Sequence, residues 1–193
     1  MEAHLRGKVH LSIEEPEALG TAGALGFLRE WIAGRAVFLQ NTDAWHEADI
    51  AALLADKWDE ERPRLLVVRD EERPDFDHRW RYAGAALLPW WTVRELEPEP
   101  SGLWEVSWRE LRRQGMLDLI RLDGPFYDCG TPADYLAANL VASGGESVIG
   151  PGAVVDGEVV RSVVWSGAVV GEGERLFHAI RASQDVTVQV PPS

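Results

Sequence analysis

The chain has 193 residues, 46% of them hydrophobic and 26% charged, which is the composition of a globular protein rather than a disordered one. Its formal net charge of −13 and its pI of about 4.8 argue against nucleic-acid binding. The N-terminus has no signal-peptide core, no apolar run approaches membrane-spanning length, and the single cysteine, Cys129, excludes an internal disulfide. We therefore expect a cytoplasmic protein that binds neither nucleic acid nor membranes.

The first elements follow from the spacing of apolar residues. Residues 8–13 alternate between apolar and polar side chains, which predicts a half-buried strand. A helix is expected over residues 20–32. The continuous apolar run at residues 36–40 predicts a strand buried on both faces of a parallel sheet. Asp43 comes just after that strand, and ligands bind at this edge of open α/β sheets.

The rest of the first 143 residues continues in the same way. Helical spacing occurs at residues 48–58, 90–96, 106–114 and 132–142, and strands are expected at residues 64–68, 81–88 and 117–122. The last of these helices has Thr131 as its N-cap and Pro132 at its first position. Strands that alternate with helices indicate a mixed α/β fold.

The composition changes after residue 143. An aliphatic residue followed by Gly or Asp recurs about every six residues, as in Ile149-Gly150 and Val155-Asp156, which is the hexapeptide pattern of a parallel β-helix. Only one to two coils fit, and a stable solenoid needs about three repeats or more. We therefore predict two domains, residues 1–143 and 144–193. We expect the short tract to pack against the first domain or against a second subunit of a homo-oligomer.

Three segments occur in a recognisable order: Leu-Gly-Thr-Ala-Gly-Ala-Leu at 19–25, Phe-Leu-Gln-Asn-Thr-Asp at 38–43 and Phe-Tyr-Asp-Cys-Gly-Thr-Pro at 126–132. Together they resemble the sugar-phosphate nucleotidyltransferases, the NDP-sugar pyrophosphorylases that include mannose-1-phosphate guanylyltransferases. The resemblance implies a partial Rossmann-like, GT-A-like mixed sheet with a short left-handed parallel β-helix stub at its C-terminus. Nothing before residue 19 matches the Gly-rich loop that holds the nucleotide phosphates in that family.

The resemblance also implies a reaction and a metal. The family joins a sugar 1-phosphate to a nucleoside triphosphate and releases pyrophosphate, and two carboxylates hold one Mg²⁺, an ion that prefers oxygen ligands. Asp43 and Asp128 take the places of those carboxylates, although Thr42 replaces the usual Gly. The alternative is that Asp43 caps the next helix and Asp128 caps the turn before Pro132.

Two further regions resemble the substrate-binding segments of the family. Gly20, Thr21, Ala22 and Gly23 resemble the loop whose backbone approaches the nucleobase and the sugar. The same four residues could equally be a plain helix start that is capped by Thr21.

The second region follows residue 70. Arg73, in Glu-Arg-Pro, takes the place of a phosphate-binding lysine and is a catalytic candidate by resemblance. A solvated loop charge is the alternative that we favour for it. Gly84, preceded by Tyr82 where the family has Asn, and Glu105 fall at positions that lie near the sugar in the family.

The sequence leaves two functions open. In the first, the chain is a nucleotidyltransferase-family protein that is catalytically incomplete as written, either because it is truncated or because it is a decayed relative. In the second, it is a non-catalytic binding or regulatory subunit that associates through the β-helix stub.

Overall fold

The computed structural model describes residue 5 and residues 7–191. The chain divides into two compact units, and we call Met1–Gln40 with Ala48–Asp123 unit 1, and Asn41–Glu47 with Gly124–Ser193 unit 2. The predicted boundary between residues 143 and 144 lies inside unit 2. The division into domains of residues 1–143 and 144–193 stays a prediction.

Most of the predicted helices and strands are present, with ends that differ by a few residues, together with two short strands, Ala44–His46 and Phe126–Asp128, that were not predicted. In chain order they are α1 (Gly20–Phe27), α2 (Arg29–Ile32), β1 (Val37–Gln40), β2 (Ala44–His46), α3 (Ile50–Ala55), β3 (Arg64–Arg69), β4 (Trp80–Leu88), α4 (Trp90–Val93), a π-helical turn (Trp104–Trp108) that continues into α5 (Arg109–Arg113), β5 (Asp118–Arg121), β6 (Phe126–Asp128) and α6 (Pro132–Ala142). None of the helices in the described part of the chain is long and apolar enough to cross a membrane.

The main sheet of unit 1 has four strands in the order β1-β4-β3-β5. Strands β3 and β5 are parallel, and the other neighbouring pairs are antiparallel. At the centre of β3, Leu65, Leu66 and Val67 are almost completely buried. The sheet is therefore mixed, and the predicted α/β class is confirmed.

Two predicted strands differ from the structure. Residues 8–13 form no strand; Val9 is 56% exposed and Ile13 is 53% exposed, so their alternation does not mark a buried face. The apolar run at residues 36–40 does form β1, but β1 pairs only with β4, antiparallel, among the described strands. Its alternate residues are exposed, Phe38 by 41%. The prediction that this strand is buried on both faces of a parallel sheet was wrong, because β1 lies at an edge.

Helix α1 lies unusually close to the connector that precedes the π-helical turn. The amide of Ala22 donates to the carbonyl of Ser101 at 3.0 Å, and the amide of Ser101 donates to the carbonyl of Leu19 at 2.9 Å. A methyl group on Gly20 would come 2.7 Å from the Ser101 oxygen, and one on Gly23 would overlap the backbone of Glu99. Only glycine allows this approach of two backbones.

The remaining strands all belong to unit 2. They are β7 (Val148–Ile149), β8 (Val154–Val155), β9 (Glu158–Val160), β10 (Val163–Val164), β11 (Val169–Val170), β12 (Arg175–Phe177), β13 (Ala179–Arg181) and β14 (Thr187–Gln189). Parallel pairing joins β7 to β10, β10 to β13, β8 to β11 and β9 to β12, whereas β14 is antiparallel to β13. Inside these ladders Val164, Val170 and Leu176 are almost completely buried.

Candidate functional site

The two predicted metal ligands, Asp43 and Asp128, lie together in unit 2. Strands β2 and β6 pair antiparallel with Ala44 opposite Asp128, and the amide of Cys129 donates to the carbonyl of Asp43 at 2.7 Å. A methyl group on Gly130 would lie 3.3 Å from Asp128 Oδ1 and 3.7 Å from Asp43 Oδ2. The sum of these two distances is the largest separation that the two carboxylate oxygens can have.

Asp49, not Asp43, caps the next helix, whereas Asp128 does accept a hydrogen bond within the turn before Pro132. The side chain of Asp49 accepts a hydrogen bond from the amide of Ala52 and caps α3. The hydroxyl of Thr131 accepts from the amide of Asp134 at 3.2 Å and caps α6, as predicted. Asp128 Oδ1 accepts from the amide of Gly130 at 3.4 Å, which is long for a hydrogen bond.

The surroundings of the pair are acidic. Burial raises the pKa of the Cys129 thiol, and the charges of Asp128, Asp134 and Asp43 raise it further, so the thiol stays protonated and is a poor nucleophile at neutral pH. Among the described residues, no group of three or more His, Cys, Asp or Glu could hold a metal ion. A pair of carboxylates nevertheless suits Mg²⁺, which usually binds one or two of them and completes its shell with water and substrate phosphates.

A second candidate site is an aromatic cavity of about 380 Å³ in unit 1. Its lining residues are Pro74, Asp75, Phe76, Tyr82, Trp104 and Trp108. The rings of Phe76 and Trp104 meet edge to face at 5.3 Å, and those of Tyr82 and Trp108 are 5.1 Å apart. The volume lies within the range of small-molecule sites.

Arg73, Gly84 and Glu105, which the resemblance linked to substrate binding, do not line this cavity, although each is close in sequence to a residue that does. Arg73 directly precedes the lining residue Pro74, and its side chain is 63% exposed, with Nε 3.8 Å from Asp70 Oδ2. Gly84 occupies an irregularity of β4, where the register shifts opposite Leu65 and Val67, and its φ of 74° is one that glycine tolerates. Glu105 does not line the cavity; its carboxylate lies against Gly102.

The predicted nucleobase loop has a structural role of its own. Gly20, Thr21, Ala22 and Gly23 form the first turn of α1, which begins after Leu19 with no side-chain cap, so Thr21 is not the cap. Ala22 and Gly23 are buried, whereas Gly20 and Thr21 are exposed. Contact with a nucleobase stays a prediction, and only the two exposed residues are open to it.

Sequence reasoning missed the aromatic walls of the cavity. Phe76, Trp104 and Trp108 are not among the residues that the sequence predicts for a site. The signal available was the pair Trp104 and Trp108, which are four residues apart and therefore share one face of a helix.

The hydroxyl of Tyr82 and the Nε1 of Trp108 are both buried without a hydrogen-bond partner among the described residues. Burial also raises the pKa of the Tyr82 hydroxyl, which therefore stays protonated at neutral pH. An unpaired buried polar group costs about 1–3 kcal/mol. Tyr82→Phe should accordingly raise the free energy of unfolding by about 1 kcal/mol, measured by urea denaturation. Tyr127→Phe is the control that should change little, and a less stable Tyr82→Phe protein would contradict the assignment.

Solved structures with a similar fold are available for comparison. A glucose-1-phosphate thymidylyltransferase structure from Bacillus anthracis, in complex with a sucrose, is 17% identical with a TM-score of 0.60, over 73% of this chain and 70% of that one. A mannose-1-phosphate geranyltransferase from Thermus thermophilus is 14% identical with a TM-score of 0.62, over 98% of this chain and 77% of that one. The chain has the fold of the sugar-phosphate nucleotidyltransferases.

A third structure extends the comparison. The UDP-glucose pyrophosphorylase from Acinetobacter baumanii is 14% identical with a TM-score of 0.52, over 72% of this chain and 63% of that one. No protein-family model matches the sequence, and the search of curated proteins gave no match. The nucleotidyltransferase resemblance of the sequence is thus confirmed at the level of the fold.

Proposed function

We propose that the chain is a nucleotidyltransferase-type protein of the cytoplasm that binds a sugar 1-phosphate in the aromatic cavity of unit 1. One observation carries the proposal. One cavity is lined by the loop at Pro74, by Tyr82 near the start of β4, and by the π-helical turn Trp104–Trp108, which comes much later in the chain. The same three regions resemble the sugar-binding segments of the family.

The chemistry of the cavity suits a phosphorylated sugar. Trp104 is 36% exposed, and its ring offers an apolar surface for the C–H face of a pyranose. Asp75 is exposed at the same cavity and can accept hydrogen bonds from sugar hydroxyls, while its Oδ2 accepts from the amide of Tyr82 at 2.7 Å. Arg73 supplies an adjacent cation for the phosphate, since guanidinium pairs with phosphate in a bidentate way.

The reaction would transfer a nucleotidyl group. A phosphate oxygen of the sugar 1-phosphate forms a bond to the α-phosphorus of a nucleoside triphosphate, the bond to the β-phosphate oxygen breaks, and pyrophosphate leaves. The residues that would hold Mg²⁺ are Asp43 and Asp128, and the ion would neutralise phosphate charge. Because no segment ahead of residue 19 resembles the Gly-rich phosphate loop, we expect this polypeptide to be catalytically incomplete.

Calorimetric titration with mannose 1-phosphate, glucose 1-phosphate and free glucose tests this function. At least one sugar phosphate should bind, and free glucose should bind more weakly because it lacks the phosphate. The absence of binding by both phosphates would overturn the proposal. A pyrophosphate-release assay with nucleoside triphosphates and Mg²⁺ should show slow or no turnover, and rapid turnover would disprove catalytic incompleteness.

A second candidate function rests on unit 2. We propose that the parallel ladders after residue 147 form a short left-handed β-helix stub. In this second function the chain is a non-catalytic subunit, and two copies of it associate through the stub. Its exposed apolar side chains favour this function: Ile149 is 46% exposed, Val154 48% and Phe177 47%. Light scattering over a concentration series tests it, since a protein that stays monomeric at high concentration would refute it.

A further inference from the structure

Unit 2 contains a second cavity, of about 620 Å³, that the proposed function does not use. Its walls come from α6, the turn after α6, two corners of the parallel ladders and the end of the described chain, with lining residues Ala133, Asp134, Ala137, Leu140, Val141, Gly144, Gly145, Arg161, His178, Val190 and Pro191. Neither Asp43 nor Asp128 is among them. This cavity therefore shares no lining residue with the aromatic cavity and does not include the acidic pair.

Two basic side chains meet this cavity from matching corners of the ladders. Val160 pairs with Phe177 in the parallel register of β9 and β12, so Arg161 and His178 are the residues that directly follow a paired position. Both have left-handed backbone, with φ of 45° for Arg161 and 52° for His178. Glycine or asparagine would occupy such corners at lower cost.

The imidazole of His178 is fixed in orientation. Its Nδ1 lies 3.0 Å from the carbonyl oxygen of Val190, and because a carbonyl oxygen can only accept, Nδ1 carries a proton and donates. The backbone is held as well, since the amide of Val190 donates to the carbonyl of His178 at 3.0 Å. Nε2 is thus the nitrogen left for a ligand.

Arg161 is exposed and makes no hydrogen bond or ion pair within the described part of the chain. The acidic residue of the cavity, Asp134, is already engaged: its Oδ2 accepts from the Thr131 hydroxyl at 2.7 Å. Apolar residues also line the cavity, and two of them, Leu140 and Val190, are buried.

We propose that this cavity binds a small organic anion, a phosphate ester or a carboxylate, through Arg161 and His178, with the apolar body of the ligand against Leu140 and Val190. The Arg161 guanidinium suits an oxyanion, and His178 Nε2 can donate a second hydrogen bond to it in the imidazolium form, in which both ring nitrogens carry a proton. The volume leaves space for an aromatic or aliphatic group beside it. The ligand would be an effector rather than a substrate, because neither member of the carboxylate pair lines this cavity.

Titration of ¹⁵N-labelled protein with phenyl phosphate, benzoate, inorganic phosphate and phenol tests the proposal by NMR. Phenyl phosphate or benzoate should shift the amide resonances of Arg161, His178 and Val190, and should bind at least tenfold more tightly than phenol or inorganic phosphate. Whichever of the two organic anions binds more tightly identifies the acidic group of the ligand.

Arg161→Gln should weaken that binding at least tenfold, whereas Arg175→Gln should not. Arg175 is the matched control because it belongs to the same unit, is 65% exposed and pairs with Glu158 at 3.0 Å instead of lining the cavity. His178→Asn, which tolerates left-handed backbone, should also weaken binding. Equal losses in Arg161→Gln and Arg175→Gln, or unchanged binding in Arg161→Gln, would overturn the proposal. Inorganic phosphate binding as tightly as phenyl phosphate would also overturn it.

Discussion

Trp104→Ala should weaken the binding of a sugar 1-phosphate by at least about tenfold, which corresponds to about 1.4 kcal/mol. The Trp104 ring is the partly exposed wall of the aromatic cavity and is held edge to face against the buried Phe76. Removing it takes away the apolar surface on which the sugar would lie. Calorimetric titration of the parent chain and of Trp104→Ala, with the sugar phosphate that binds the parent chain, measures the loss of affinity.

Trp31→Ala is the control for this substitution. Trp31 also belongs to unit 1 and is 53% exposed, but it lies in α2 and does not line the cavity. The control protein should keep the affinity of the parent. Unchanged binding by Trp104→Ala, or equal losses in the two variants, would place the sugar elsewhere.

Asp43→Asn and Asp128→Asn should each weaken Mg²⁺ or Mn²⁺ binding at least about tenfold, because losing even an outer-shell partner of a metal costs about 10–100-fold. Asparagine keeps an oxygen that can accept the hydrogen bond from the amide of Gly130, so the turn at Asp128 should survive while its charge is lost. Calorimetric titration measures the affinity for Mg²⁺, and electron paramagnetic resonance measures the affinity for Mn²⁺.

Asp156→Asn is the matched control, since Asp156 is an exposed acid of the same unit and belongs to no strand. It should bind metal as the parent does. Parent-like metal affinity in both Asp43→Asn and Asp128→Asn would show that the two acids are not ligands.

Local signals in the sequence predicted the elements whose structure is decided locally. Helix α6 spans Pro132–Ala142 as expected, because the Thr131 cap and the proline at the first position act within one turn. The β3 strand was also predictable from its continuous apolar run. By contrast, residues 8–13 alternate like a strand but have no partner strand among the described residues, and the apolar run of β1 gave no sign that it lies at a sheet edge.

The acidic pair could be predicted from the sequence, whereas the two cavities could not be predicted in full. The acidic pair was found because the resemblance named Asp43 and Asp128, and the antiparallel pairing of β2 with β6 brings them together. The aromatic cavity could not be predicted in full, because its walls come from separate segments that meet only in the folded chain. The relation of His178 to Arg161 could not be predicted either, since it depends on the register of β9 and β12.

The close approach of α1 to its connector has a consequence for hydrogen exchange. The amides of Ala22 and Ser101 donate across the contact, although residues 97–101 belong to no helix or strand. An irregular segment would ordinarily exchange its amide protons quickly, through local fluctuations. Here the amide of Ser101 can be released only when α1 separates from the connector, so its protection should rise and fall with that of the helix. The two segments should thus open as one cooperative unit.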